Sequence, residues 1–274
     1  MAWLQQPLLR EYDKGEKKMG TVNLTIQERT ARLELNRPEV LNAMDENMLR
    51  ELKKALDEIN GSSAEVVIIS GSGRGFSAGG DIKTMLSSAD EGAFFEIMDV
   101  ISDIILTLYT MPKLVISAIH GPAAGLGLSF ALAADYIAAH EQSVLAMNFI
   151  GIGLIPDGGG HYFLEKRAGE ARAKQLIWSG EKLDAAGAKH AGLIDEIVQG
   201  DMVSAIEDLA GSWLKKPVKA MIETKSIYTA ANKERLLDML AREKEGQYKM
   251  RQTLDHQEGI SSFIEKRQPV FTGK

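Results

Sequence analysis

Residues Ala64–Asp81, AEVVIISGSGRGFSAGGD, join a short apolar run to a glycine-rich loop. Glu65–Ser70 is β-branched and bounded by small residues, which predicts a buried strand. The loop that follows has glycines at 71, 73, 75, 79 and 80. Asp81 stands where a helix N-cap belongs, ahead of Ile82–Leu86. Glycines at that density give up backbone entropy, which implies a close approach of some group to the main chain. N–H groups in a strand-to-helix turn, with no side chains in the way, can bind an oxygen that carries negative charge.

Lys113–Ala134 has the same grammar. Lys113–Ile119 reads as a strand, His120–Gly127 as a loop of small residues, and Leu128–Ala134 as an apolar helix. Two such turns facing each other would aim two N–H groups at one oxygen.

Away from these turns, Thr21–Leu35 alternates as a hairpin that turns at Gln27–Thr30, and Asn36-Arg-Pro38 ends it. Asp45 opens a helix to about Ile59, with Met48, Leu49, Leu52, Leu56 and Ile59 on one face. Gly92–Tyr109 is a second helix, closed by Met111-Pro112. Tyr136–Ala139 and Val144–Met147 are short strands, and Gly151–Gly160 is glycine-rich. Beyond His161 the chain reads as mostly helical: Ala185–His190, Asp201–Leu214, Val218–Ala231 and Glu234–Leu254, with a last strand at Ile194–Val198 and a basic tail from Phe263. The expected organisation is an extension at 1–19, an α/β core at 20–200 and a helical region at 201–274. No repeat of fixed period occurs.

With 274 residues, 45% of them hydrophobic, the chain can bury one large core or two modest ones. A net charge of −6 argues against nucleic-acid or anionic-membrane partners. There is no cysteine, which removes disulfide, thiolate-nucleophile and thiolate-metal chemistry and fits a reducing, cytoplasmic setting. No apolar run reaches the roughly 18–20 residues of a membrane span. The N-terminal MAWLQQPLLREYDKGEKKMG is not patterned as a signal peptide and reads as a flexible extension or a small added helix.

Several chemistries compete. Gly75-Phe-Ser-Ala-Gly79 matches the nucleophile-elbow pattern G-x-S-x-G, but Gly71–Gly75 separate Ser77 from its strand and no general base stands out. Gly73-x-Gly75-x-x-Ala78 loosely fits a dinucleotide fingerprint, without the acidic residue that should follow. His120, His140, His161, His190 and His256 are dispersed and lack metal-ligand spacing. Asp157, in Ile155-Pro-Asp-Gly-Gly-Gly160, is either a turn residue or a desolvated carboxylate available as a base.

The motifs together resemble those of the crotonase (enoyl-CoA hydratase/isomerase) superfamily. Phe76–Ile82 is similar to its F-x-A-G-x-D-I motif, and Asn36–Ala43 to its N-R-P-x-x-x-N-A. Pro112–Gly121, Gly151–Gly160 and Phe263–Phe271 resemble further segments of that family, in order. The resemblance implies a fold of stacked β-β-α units and a C-terminal helical region used for trimerisation, in a homotrimer or hexamer. It also implies an acyl-CoA thioester as substrate, with coenzyme A entering only as part of it and no separate cofactor or metal.

By the same resemblance the oxyanion-hole donors are the N–H groups of Gly80 and Leu126; losing one such donor typically costs about 3–4 kcal/mol of transition-state stabilisation. Ala43, Ala78, Gly79, Asp81, Lys83, Gly125 and Phe149 are the expected substrate-binding positions, and Lys266 or Arg267 reaches the nucleotide phosphates or is merely solvated. Met44, Met85, Met98, Met147 and Phe149 are candidates for an adaptable pocket. The two glutamates of the family's hydratases fall at Ser129 and Phe149, so both carboxylates are missing. Asp157 falls where some isomerases of the superfamily place a catalytic aspartate. The expectation is an enoyl-CoA isomerase with Asp157 as base. Hydration or another reaction with an unidentified base, and a non-catalytic CoA-thioester-binding subunit, are the alternatives.

Overall fold

A computed structural model describes residues 16–18, 20–82 and 91–274. Glu16–Lys18 form β1, which pairs antiparallel with β2 (Val22–Gln27), so this part of the expected extension is an edge strand and not a helix. β2 and β3 (Thr30–Leu35) make the predicted hairpin, and its inward alternation buries Val22, Leu24, Ala31, Leu33 and Leu35. Asp45 caps α1 (Glu46–Gly61), its Oδ1 accepting from the Met48 N–H at 2.8 Å. The face of α1 that packs inward carries Leu52, Leu56 and Ile59, each fully buried and each contributing about 1.5–3 kcal/mol.

β4 (Val66–Gly71), α2 (Glu91–Thr110) and β5 (Leu114–Ile119) follow, then β6 (Pro122–Ala124), α3 (Leu126–Leu132) and β7 (Tyr136–His140). β3, β4, β5 and β7 are parallel neighbours, and β5 is buried along its whole length, as parallel strands covered on both faces are. β8 (Val144–Ala146), a 3₁₀ turn at Asn148–Ile152, α4 (Gly160–Ala168) and α5 (Glu170–Ser179) come next. β9 (Lys182–Asp184), α6 (Ala185–His190) and β10 (Glu196–Val198) complete the α/β part. The main sheet runs β1-β2-β3-β4-β5-β7-β10, and β6-β8-β9 form a second, three-stranded sheet. This is the crotonase-type arrangement the motifs implied.

The second sheet reaches further than its strands. Isolated parallel bridges join Ser77 to Ala123 and Met44 to Gly80, so the Phe76–Gly80 loop lies between the segment around Met44 and β6. Asn42, fully buried in a left-handed conformation, staples this layer to the loop after β4. Its Nδ2 donates to the carbonyls of Ser72 and Gly75 at 2.9 and 2.8 Å, and its Oδ1 accepts from the Arg37 N–H at 2.8 Å.

The C-terminal region departs from expectation in two places. Val218–Arg251 is one continuous helix, α8, where the sequence suggested two. The polar run near Asn232 contains neither proline nor glycine, and Asn232 Nδ2 simply bonds back to the Tyr228 carbonyl. Leu254–Glu265 is a further helix, α9, capped by Thr253, in a stretch to which the sequence reading assigned no element before the tail at Phe263. α9 rests on the Asn148–Ile152 turn through His256 Nδ1 and the Ile152 carbonyl, 2.7 Å apart. α7 (Met202–Leu214) matches the helix expected from Asp201, which proves to be its N-cap. Among the described residues no helix is long and apolar enough to cross a membrane.

Asn42→Ala leaves two carbonyls and one N–H without their buried partner, and strains a left-handed position. It is expected to cost about 2–4 kcal/mol in denaturant unfolding; an unchanged midpoint would show that the staple is dispensable.

Candidate active site

The two glycine turns meet as the sequence suggested. Gly79 has φ +97°, and a Cβ there would stand 2.7 Å from the Ala124 carbonyl oxygen and 3.3 Å from the Leu126 nitrogen. Only glycine allows that approach, which brings the backbone at Gly80 beside the first turn of α3. Neighbouring main-chain groups are spent on the ladder: Met44 N–H on the Gly79 carbonyl, Asp81 N–H on the Met44 carbonyl, Ala124 N–H on the Ser77 carbonyl. The N–H groups of Gly80 and Leu126 have no acceptor among the described residues.

Two cavities open from this point. One, of ≈ 130 Å³, runs between α1, α2 and α8 and is mainly apolar, with Met44, Leu49, Phe94 and Met98 in its wall. The other, of ≈ 160 Å³, passes Ala78, Gly125, Phe149 and Phe263. Among the described residues, Gly80, Leu126 and Asp157 are the three that line both.

Asp157 is 8% exposed. Gln247 Nε2 donates to its Oδ2 at 3.0 Å, and its Oδ1 is buried without a partner among the described residues. Burial first, and the nearby Glu243 charge second, push this carboxyl up to about 7. The turn behind it is clamped from α8. Glu243, 2% exposed, accepts from the Gly159 N–H at 2.7 Å, the His161 N–H at 3.0 Å and His161 Nδ1 at 2.8 Å. Gly160 packs so closely that a Cβ would lie 2.9 Å from Ser129 Oγ. Ser129 is fully enclosed, its hydroxyl directed to the Gly125 carbonyl and the Met147 sulfur.

Among the expected substrate-binding positions, Ala78, Gly125 and Phe149 line the second cavity. Ala43, Gly79 and Asp81 line neither and act in the scaffold: Arg37 Nη1 bonds the Ala43 carbonyl and pairs with Asp81 and Asp45 at 3.1 and 3.2 Å. Lys83, Met85 and the helix expected after Asp81 lie outside the described residues, apart from Ile82. Met44 and Met98 line the first cavity, whereas Met147 packs against Ser129. Arg267 pairs with Glu258 and Glu265, and Lys266 closes α9.

The competing chemistries find no support in the geometry. Ser77 is fully buried, donating to the Asn42 carbonyl and accepting from the Gly79 N–H, so it is a strut and not an exposed nucleophile. No cluster of three or more histidine or acidic side chains that could hold a metal occurs among the described residues. Glu243, Gln247 and Arg251, all on α8, went unnoticed in the sequence. Leu236, Leu240, Glu243 and Gln247 are spaced by four, three and four, so two polar residues sit on a buried stripe, which was the available signal.

The folded Asp157 carboxyl keeps its proton to about pH 7, whereas an unfolded aspartate loses it near pH ~4. Ionisation therefore weighs against the folded state increasingly across that window, and stability falls as pH rises through it. Asp157→Asn removes the penalty: it is expected to be near neutral at about pH 4 and to stabilise the unliganded protein by about 2–4 kcal/mol at about pH 8. A stability difference that does not change with pH in denaturant titrations would contradict the buried, elevated carboxyl.

Comparison with known proteins agrees with this architecture. The family model described as enoyl-CoA hydratase/isomerase matches residues 25–274. YhaR of Bacillus subtilis, which carries an enoyl-CoA hydratase/isomerase name, is 52% identical over 241 residues, 88% of this chain and 94% of that protein. The 1,2-epoxyphenylacetyl-CoA isomerase of Escherichia coli is 32% identical, covering 88% of this chain and 94% of its own. The crystal structure of an enoyl-CoA hydratase from Mycobacterium avium subsp. paratuberculosis superposes with a TM-score of 0.84 at 30% identity, over 92% of this chain and 99% of that one. The chain belongs to the enoyl-CoA hydratase/isomerase family.

Proposed function

We propose that the protein is an acyl-CoA isomerase that moves a carbon–carbon double bond, with Asp157 as its acid and base. The observation that carries this reading is the meeting of both cavities at Gly80, Leu126 and Asp157. A thioester carbonyl placed there accepts from the N–H groups of Gly80 and Leu126. Those bonds strengthen as the oxygen gains charge, which lowers the barrier to forming an enolate. The Asp157 carboxylate takes a proton from the α-carbon of a β,γ-unsaturated acyl group. The electron pair moves into the carbonyl to give a dienolate, and the same carboxyl returns the proton at the γ-carbon.

A group poised near neutrality suits both halves of that cycle, since it must accept a proton and then release it. Water addition asks for more: one group to orient and deprotonate water, another to protonate carbon. Among the described residues Asp157 is the one carboxylate that lines both cavities, and at Ser129 and Phe149 the chain has a hydroxyl and a phenyl ring. A Cβ at Gly158 or Gly160 would stand 3.3 Å from the Ser129 Cβ or 2.9 Å from its Oγ, so the glycine turn after Asp157 lies directly against Ser129. A relative named as an isomerase, the E. coli 1,2-epoxyphenylacetyl-CoA enzyme, supports an isomerase reading.

Coenzyme A enters as part of the substrate, through the second cavity past Ala78 and Gly125, and the acyl chain occupies the apolar first cavity. We read the exposed Leu254, Ile264 and Val270 of the C-terminal segment as surface covered when copies of the chain assemble as a homotrimer or hexamer in the cytoplasm.

With a β,γ-unsaturated hexenoyl-CoA as probe, Asp157→Asn is expected to lower kcat for formation of the conjugated isomer by about 10²–10⁴-fold while leaving KM nearly unchanged. For the wild type, kcat/KM should rise with pH and level off above about 7, because the base must be ionised. Full activity in the variant would reject Asp157 as the base.

A further inference from the structure

Asp157 is held from one helix by two residues a single turn apart. Gln247 engages one oxygen of its carboxyl and leaves the other unpartnered. Glu243 makes no hydrogen bond to the carboxyl. It reaches the next residues of the turn, taking the N–H groups of Gly159 and His161 and the ring of His161. Three donors on one carboxylate satisfy a buried charge that would otherwise be too costly to keep. His161, partly exposed, connects that charge to solvent. Among the described residues the other charged groups facing this space are Arg251 of α8 and Glu46 of α1, both in the wall of the first cavity.

We propose that Gln247 and Glu243 are positioning residues for Asp157. Gln247 pins Oδ2 and so fixes the rotation of the carboxyl that takes and returns the substrate proton. Glu243, with His161, braces the turn from behind and sets a second negative charge against the carboxyl. This rests on the reading of Asp157 as the base. The two residues act in opposite senses on Asp157. The amide N–H of Gln247 favours the ionised carboxyl, and the Glu243 charge favours the protonated one. A helix that merely packed against the turn would not have that property.

The test is the titration of Asp157 itself in the unliganded full-length chain, followed by NMR of ¹³C-labelled aspartate carboxyls and assigned by loss of the signal in Asp157→Asn. Gln247→Met, which keeps the volume of the side chain, is expected to move the midpoint up by about one pH unit, and Glu243→Gln to move it down by a similar amount. In the hexenoyl-CoA assay Gln247→Met is expected to lower kcat about tenfold with little change in KM, because the reacting oxygen is no longer held in place. Midpoints that stay at the wild-type value in both variants, or move in the same direction, overturn the proposal. Should Glu243→Gln fail to fold, Gln247→Met decides alone, with an unmoved midpoint counting against it. If Asp157→Asn is fully active while the midpoints shift as expected, the base assignment fails and the electrostatic coupling stands. If that variant is inactive and the midpoints do not move, the coupling fails and the base assignment stands.

Discussion

A carboxyl group taken out of water without a cation beside it is an expensive thing to keep in a folded chain. Asp157 is in that condition: among the described residues it has no ion-pair partner, one oxygen is bonded to a neutral amide, and the other is buried alone. Much of the surrounding structure serves to hold it there. The glycines after it let the chain turn tightly against Ser129, and Glu243 fastens that turn to α8 by absorbing three N–H groups. The cost of holding the group appears as a carboxyl that titrates near neutrality, which is the property a reversible proton carrier requires.

The opposite wall of the site depends on bookkeeping of backbone hydrogen bonds. Bridges from Met44 and Ser77 draw the Phe76–Gly80 loop into the second sheet and use most of its amides. Gly79 brings that loop within contact of the Ala124–Leu126 segment, and two N–H groups are left facing a shared opening. Asn42, Arg37 and Ser77 line neither cavity, yet they fix this geometry through bonds to the loop and its flanks. The same residues explain why a G-x-S-x-G pattern here is not a nucleophile: its serine is consumed in holding the layer together.

Local patterns carried most of the fold. The alternation of Thr21–Leu35, the Asp45 cap and the β-branched strand before Gly71 each state their conformation within a few residues, and each folds as read. Where the reading erred, the deciding factor was not local. A polar run near Asn232 looks like a break, but α8 continues because its next turns are buried against the Asp157 turn. β1 and β9 are three-residue strands whose existence depends on a partner strand. Gly80, Leu126 and Asp157, which line both cavities among the described residues, were picked out by motifs. Gln247 and Glu243 were not, since they lie some 90 residues from Asp157 and meet it only through packing. Their one trace in the sequence is polar character on a stripe otherwise made of leucine.

The central claim is that this site moves hydrogen between carbons of an acyl-CoA and does not add water. Its most direct test is turnover of an unsaturated acyl-CoA in deuterium oxide enriched in oxygen-18, with the product analysed by mass spectrometry and NMR. Migration of the double bond with deuterium appearing only on the α- or γ-carbon, and no heavy oxygen in the acyl chain, is the predicted result. Heavy oxygen at the β-carbon would contradict it.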